Sequence, residues 1–183
     1  MNKTAIIIPS RLNALRLPNK PLELINSKEM ILHVYEAAKK TNTGEVYIAT
    51  PDQKIIDVIT NNGGKAVLTS LDHQTGTDRV YEVFKTQLKN EPNIIVNLQG
   101  DMPNINPQAI TDLVSYMNKG LCDIGTLASS FSSESELADE NNVKVTVKDK
   151  LSVKKFGVAT DFFRTTSKPS KNFYHHVGIY AFT

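Results

Sequence analysis

The sequence predicts a doubly wound α/β fold with a mostly parallel sheet. Four short apolar segments rich in β-branched residues alternate with amphipathic segments across the first 120 residues. The apolar segments are continuous rather than alternating in hydrophobicity, which is typical of strands covered on both faces. A hydrophobic content of 40% and a charged content of 22% over 183 residues are globular values, and they suit one domain spanning 1–183.

The predicted strands and helices follow one another in strict alternation. Strands are predicted at 4–10, 45–50, 65–70 and 93–99, and helices at 28–41, 52–64, 76–88 and 106–120. In the first helix, Ile31, Val34, Tyr35 and Ala38 form one apolar stripe. Each helix should therefore pack one face on the sheet.

Capping residues mark where two of these helices begin. The third helix is predicted to start with Thr77 as its N-cap and to carry Asp78 in its first turn. The fourth has Asn106 as N-cap, Pro107 at the first helical position and Gly120 at its stop.

The pattern loosens after residue 123. Strands are predicted at 124–131, 143–147 and 176–182, with a short helix within 134–140. We predict that 124–175 forms a smaller element within the domain. Because the sequence stops directly after an apolar strand, we also expect that a C-terminal part of the fold is missing.

Composition excludes several classes of partner. A net charge of +2 with scattered basic residues argues against nucleic acid. The N-terminal apolar run, 5–8, is too short for a signal peptide or a membrane span, so no membrane partner is predicted. The single cysteine, Cys122, fits a reducing cytoplasm. No Walker, GxGxxG or HExxH motif occurs in the sequence.

The loop after the first strand carries cations where many nucleotide-binding folds have glycines. Its residues, "SRLNALRLPNKP" at 10–21, include Arg11, Arg16 and Lys20 but no glycine. Guanidinium and ammonium groups bind phosphate oxygens, and the prolines in and beside the loop lower the entropy lost on binding. A phosphate-binding loop is therefore predicted; the alternative is a solvated basic loop.

Two further loops follow predicted strands and should lie at the same sheet edge. In "LQGDMP", Asp101 suits a Mg²⁺ ion, which takes one or two carboxylates together with substrate phosphates. In "SLDHQTGTDR", Gly76 permits close backbone approach, and Thr75 and Thr77 offer hydroxyl groups. The alternatives are a turn aspartate in the first case and simple helix capping in the second.

Together these loops resemble the sugar nucleotidyltransferases that activate acidic sugars with CTP. Within that group the sequence is most similar to the 3-deoxy-manno-octulosonate cytidylyltransferases, the CMP-Kdo synthetases. The resemblance runs through "IIIPSRLNALRLPNKPL", "DHQTGTDR", "VNLQGDMP", "NNVKV" and "HHVGIYAF". It implies a Rossmann-like three-layer nucleotidyltransferase fold, CTP and Kdo as substrates, a Mg²⁺ cofactor and a homodimer. It also implies that the smaller element at 124–175 serves dimerisation or sugar binding.

The resemblance also implies roles for particular residues. Arg11, Arg16 and Lys20 would hold the CTP triphosphate, and Asp101 would bind Mg²⁺; the catalytic set would be Lys20, Arg16 and Asp101. The implied nucleotide-recognition residues are His73, Thr75, Gly76, Thr77, Asp78, Arg79 and Gln99. His176 would border the Kdo pocket.

The implied reaction is attack of the anomeric hydroxyl of Kdo on the α-phosphate of CTP, which yields CMP-Kdo for lipopolysaccharide synthesis and releases pyrophosphate. The sequence departs from the family at Ala14 and Asn19, where serine and glycine are usual, and at Gly157 and Val158. The family's second metal-binding aspartate comes from a later segment. Two alternatives remain open: a truncated, impaired relative that only binds nucleotide, and a transferase for another acidic sugar such as sialic acid.

Overall fold

The computed structural model describes residues 3–13, 17–152, 156–165 and 172–183. The chain forms two compact units. One consists of Met1–Gly125 with Ile179–Thr183, and the other of Thr126–Gly178. Two sequence predictions, on Ala14 and Arg16, lie outside the described residues.

The first unit holds a central sheet and four helices. Its strands are β1 (Thr4–Pro9), β2 (Leu24–Ile25), β3 (Lys28–Glu29), β4 (Glu45–Thr50), β5 (Ala66–Leu68) and β6 (Ile94–Asn97). Its helices are α1 (Met30–Lys39), α2 (Gln53–Asn61), α3 (Gly76–Thr86) and α4 (Pro107–Met117), and a 3₁₀ turn covers Lys20–Leu22.

The sheet of the first unit is parallel in the order β5-β4-β1-β6. Strand β1 lies inside it, and Ile6, Ile7 and Ile8 are fully buried. Strands β1 and β6 are buried along their whole length, as predicted for strands covered on both faces. The prediction is wrong for β5, which lies at the edge of the sheet and leaves Leu68 60% exposed. The C-terminal residues pair antiparallel with β6, where Tyr180 lies opposite Asn97.

The predicted helices are present and bury the predicted faces. Ile31, Val34 and Ala38 are fully buried and Tyr35 is nearly so. Helix α4 begins as predicted, because the Asn106 side chain accepts a hydrogen bond from the amide of Gln108.

The predicted cap of α3 is wrong by two residues. Thr75, rather than Thr77, is the N-cap. Its hydroxyl accepts from the amide of Asp78 at 3.1 Å, while the Asp78 carboxylate accepts from the amide of Thr75 at 3.1 Å. This reciprocal pair is a capping box, which satisfies two backbone N–H groups at once. Thr77 therefore lies inside the helix.

The second unit is built on antiparallel pairing. Strand β7 (Ile124–Ser129) leads into it, followed by α5 (Glu134–Ala138), β8 (Lys144–Val147), β9 (Ala159–Phe163) and β10 (Phe173–Phe182). Strand β8 pairs antiparallel with both β9 and β10. The sequence did not predict β9, which is largely exposed. Dimerisation or sugar binding by the predicted element at 124–175 remains a prediction.

Within the described residues, no helix is both long enough and apolar enough to cross a membrane.

Candidate functional site

A cleft of about 280 Å³ lies in the first unit, beside the carboxyl ends of β1 and β6 and the start of α3. All three loops singled out in the sequence contribute to its wall. Eight of the predicted site residues line it: Arg11, Lys20, His73, Thr75, Gly76, Arg79, Gln99 and Asp101. The carboxyl edge of a parallel sheet is where α/β folds bind ligands, because the loops from successive strands converge there.

Four predicted site residues are placed elsewhere or lie outside the description. Thr77 and Asp78 lie in the first turn of α3, where Asp78 serves the cap. His176 belongs to the second unit. Arg16 is not among the described residues.

The first and second loops meet through an ion pair. Lys20 Nζ donates to Asp101 Oδ2 at 2.8 Å, and the two side chains are 36% and 54% exposed. Lys20 opens the 3₁₀ turn, and Asp101 follows β6. The cleft therefore presents a cation and a carboxylate side by side, both open to solvent.

The described residues of the cleft offer too few protein ligands to hold a metal ion by themselves, so a bound substrate would have to supply further oxygen ligands. Among the described residues, no group of three or more His, Cys, Asp or Glu side chains is arranged to hold a metal ion. Asp101 supplies one exposed carboxylate. This donor set fits Mg²⁺, which commonly takes one or two carboxylates and completes its shell with phosphate oxygens and water.

Arg79 is buried at the base of the third loop. Its Nη1 donates to the hydroxyl of Thr69 and, at 2.9 Å, to the carbonyl of Ser70. Burial lowers the pKa of the Arg79 guanidinium, as does the charge of Arg11, while Glu82 and Asp52 oppose the change. Arg79 thus fixes the segment before α3 and brings a positive charge to the cleft wall.

Glu82 orients His73, a contact that no pattern in the sequence indicates. His73 Nε2 lies 2.5 Å from Glu82 Oε2, which also accepts from the amide of Ser70. Burial acts to raise the pKa of Glu82, but the bonds from His73 and Ser70 lower it overall. Because an ionised carboxylate only accepts, His73 must donate through Nε2.

A buried amide holds Gln99. Gln99 Nε2 donates to Asn97 Oδ1 at 3.1 Å, and Asn97 Nδ2 donates to the Thr77 hydroxyl at 3.3 Å. Asn97 is fully buried in β6. Thr77, predicted to contact the nucleotide, therefore supports Gln99 from inside α3.

Gly76 packs closely against the end of β1. A Cβ at this position would lie 3.1 Å from Pro9 Cγ, a tight contact, and 3.7 Å from Gln99 Oε1, an ordinary one. The predicted close approach of a ligand to the Gly76 backbone stays a prediction.

Asp52, which the sequence did not indicate as a site residue, holds the neck of the cationic loop. The neck is the pair Leu12 and Asn19, where the two sides of the loop meet. The amide of Leu12 donates to Asp52 Oδ2 at 2.8 Å, and its carbonyl accepts from the amide of Asn19 at 3.0 Å. Asn19 adopts a left-handed conformation with φ of 59°.

The two adjacent histidines of the second unit have different partners, as expected for neighbours in a strand. His176 is buried, and its Nε2 lies 2.9 Å from the Thr126 hydroxyl. Burial, followed by the charge of His175, lowers the pKa of His176. His175 instead contacts Glu136, with Nδ1 3.0 Å from the carboxylate.

Comparison with known proteins identifies the family. The profile of the cytidylyltransferase family matches residues 5–183. The chain belongs to the cytidylyltransferase family. Fold and cleft agree with this assignment, since the sheet is mostly parallel and the predicted loops converge at its carboxyl edge.

Individual relatives are similar over nearly the whole chain. The 3-deoxy-manno-octulosonate cytidylyltransferase of Bartonella henselae is 39% identical over 180 residues, covering 97% of this chain and 73% of the relative. That of Brucella ovis is 38% identical over 182 residues, covering 98% and 72%. The solved structure of CMP:2-keto-3-deoxy-manno-octonic acid synthetase complexed with CTP matches with a TM-score of 0.86 at 37% identity, covering 98% of this chain and 73% of that one. The predicted nucleotidyltransferase fold is therefore confirmed.

Proposed function

We propose that the protein transfers CMP from CTP to Kdo and releases pyrophosphate, as a step of lipopolysaccharide biosynthesis. The observation that carries this proposal is the cleft of the first unit, where a cationic loop faces a carboxylate at the carboxyl edge of the sheet. The 39% and 38% identity to relatives named 3-deoxy-manno-octulosonate cytidylyltransferase supports the choice of CTP and Kdo.

Arg11 and Lys20 bind the triphosphate in this proposal, with Arg16 as a third cation. Arg11 and Lys20 both line the cleft. In the reaction, the anomeric oxygen of Kdo attacks the α-phosphorus, the bond from that phosphorus to the bridging oxygen breaks, pyrophosphate leaves and the hydroxyl proton passes to solvent. Negative charge gathers on the departing pyrophosphate, so cations fixed in advance beside it stabilise the transition state.

Asp101 is the residue that would hold Mg²⁺. A bound Mg²⁺ would supply charge neutralisation and alignment of the phosphate oxygens. In the structure, Asp101 pairs with Lys20 at 2.8 Å, so the residue that would hold the metal lies beside the cation assigned to the triphosphate.

The nucleoside is recognised by the third loop and Gln99 in this proposal. The residues assigned to it are His73, Thr75, Gly76, Thr77, Asp78, Arg79 and Gln99. The structural support for these assignments differs from residue to residue. The side chains of Gln99, His73 and Arg79 line the cleft, and each is oriented by a hydrogen bond within the protein. Thr77 and Asp78 act through Asn97 and the helix cap.

We further propose that His176 contributes to the Kdo pocket and that residues 124–175 serve dimerisation or sugar binding. His176 carries a lowered pKa because it is buried, so it is neutral at pH 7 and offers a neutral hydrogen-bonding group. A cytoplasmic location is proposed from the single cysteine, Cys122.

One assay tests the activity. The purified protein is incubated with CTP, Kdo and Mg²⁺, and pyrophosphate release is followed beside the Bartonella henselae relative. We expect release that requires all three components. CTP binding without release would favour the nucleotide-binding alternative, and release with N-acetylneuraminate but not Kdo would show that the sugar assignment is wrong.

A further inference from the structure

Asp52 stands at the N-cap of α2 but does not cap that helix. Its backbone is extended, as an N-cap requires, yet its side chain makes no capping hydrogen bond. The carboxylate instead accepts from the amide of Leu12, at 2.8 Å and 40 positions earlier in the chain. Aspartate at an N-cap ordinarily satisfies its own helix, so this residue's acceptor is directed to another loop.

Leu12 is the point where the two ends of the cationic loop meet. Its amide donates to Asp52, and its carbonyl accepts from the amide of Asn19 at 3.0 Å. Arg11 precedes Leu12 in the chain, Lys20 follows Asn19, and both cations line the cleft. The contact to Asp52 therefore holds the Leu12 side of the loop directly, and the Asn19 side through the carbonyl of Leu12.

Asp52 is itself rigidly held. Its amide donates to the Thr50 hydroxyl at 3.1 Å, and Thr50 is fully buried at the end of β4. The chain of contacts from the sheet to the loop thus runs through Thr50, Asp52 and Leu12. Asp52 is not among the residues that line the described cleft.

We propose that Asp52 is a positioning residue that holds the neck of the cationic loop in its phosphate-binding geometry before the nucleotide arrives. The proposal rests on the proposed function, since it assumes that Arg11 and Lys20 bind the triphosphate. A loop that is ordered in advance loses less conformational entropy on binding, so its ligand binds more tightly.

Two substitutions separate the hydrogen bond from the charge. Asp52→Asn keeps a side-chain oxygen that accepts from Leu12 and is also a favoured N-cap residue. Asp52→Ala removes the acceptor. Asp57→Ala is the matched control, because Asp57 is an exposed carboxylate on the same helix, bonded to Gln53 at 2.8 Å.

The first measurement is CTP affinity by calorimetry with Mg²⁺ present. We expect Asp52→Ala to weaken binding about 10- to 100-fold, because the Leu12 amide is left without its acceptor. Asp52→Asn should stay within about 3-fold of wild type, and Asp57→Ala should be unchanged. In turnover, KM for CTP should rise more than kcat falls, because bound nucleotide orders the loop. Wild-type affinity in Asp52→Ala, or equal losses in the Ala and Asn variants, would overturn the proposal.

A second measurement does not depend on any variant folding or on catalysis. Hydrogen exchange of the Leu12 amide should be slow in the wild-type protein without nucleotide. If the Leu12 amide exchanged as fast as an amide without a hydrogen bond, the proposed role of Asp52 would be wrong. If the wild type fails to bind CTP while this amide is protected, the proposed function fails and the anchoring of the loop stands.

Discussion

Replacing Lys20 with alanine should abolish most of the activity while leaving the fold nearly intact. Lys20 pairs with Asp101 at 2.8 Å, and both side chains are more than one third exposed. Ion pairs of this kind contribute about 0–1 kcal/mol to stability. A cation about 4 Å from a phosphate charge, at an effective dielectric constant near 20, contributes about 4 kcal/mol. Lys20→Ala should therefore cost several times more free energy in phosphate binding than in the stability of the fold.

The expected catalytic loss is about 10²–10³-fold in turnover, the range found when one preorganised donor to developing charge is removed. Pyrophosphate release from CTP and Kdo measures turnover, and urea unfolding measures stability. Lys28→Ala is the matched control: Lys28 pairs with Glu36 at 2.6 Å, has a 39% exposed side chain and does not line the described cleft. A near-normal rate in Lys20→Ala would refute the reasoning, as would an equal loss in Lys28→Ala.

Three further predictions concern stability. Gly44→Ala should lower the free energy of unfolding by about 1–3 kcal/mol, because the alanine Cβ would lie 2.1 Å from the carbonyl oxygen of Thr4. A urea midpoint equal to that of the wild-type protein would contradict this prediction. Asn19→Gly should have the same free energy of unfolding as the wild-type protein, whereas Asn19→Val should lower it by about 1–2 kcal/mol, since position 19 has φ of 59°. Equal urea midpoints for the Gly and Val variants would show that the valine backbone is not strained. Burial, then the charge of His175, lowers the pKa of His176 in the folded state. As the pH falls through the unfolded value of about 6.5, the unfolded chain therefore binds more protons than the folded one, and the free energy of unfolding decreases as the pH decreases. Urea unfolding from pH 7.5 to 5 should show a smaller fall in His176→Gln, and identical pH profiles would exclude His176 as a cause.

The parallel sheet was predictable because its signal is local. A strand buried on both faces needs an unbroken apolar run, and Ile6, Ile7 and Ile8 supply it in β1. Strand β9 escaped prediction because it is largely exposed, so burial imposes no pattern on its sequence. The two-residue strands β2 and β3 are too short to carry any periodicity.

The N-cap of α3 is encoded locally, but the prediction of Thr77 as this cap is wrong. The sequence "TGTD" contains two threonines, and Thr77 stands directly before Asp78. A capping box, however, needs its acidic partner three residues after the cap, a spacing that only Thr75 satisfies. Spacing, rather than proximity, identifies the cap.

The candidate site divides into a predictable and an unpredictable part. Loops at strand ends can be predicted from the sequence, and their residue types indicate Lys20 and Asp101; Gln99 was implied only by the family resemblance. Their supporting residues could not be read, because Asp52 contacts a loop 40 positions away and Asn97 contacts a helix 20 positions away. Such contacts depend on which strands are neighbours in the sheet, and no local pattern encodes that.

Asn19 illustrates how a departure from a family pattern can be conservative. The resemblance places glycine at this position, and the structure shows why: φ is 59°, in the left-handed region. Asparagine is among the few other residues that adopt this conformation readily. The carbonyl–amide contact that closes the loop is accordingly retained, with Asn19 donating to Leu12 at 3.0 Å.

The same backbone contacts explain why this loop carries cations instead of glycines. Glycine-rich loops bind phosphate through free backbone N–H groups. Here the amides of Leu12, Asn19 and Lys20 already donate, to Asp52, to the carbonyl of Leu12 and to the carbonyl of Leu17. These three amides are therefore not available to a ligand. Among the described residues of the loop, the side chains of Arg11 and Lys20 are the cationic groups that line the cleft, so replacement of Lys20 by alanine removes a charge that these three amides do not replace.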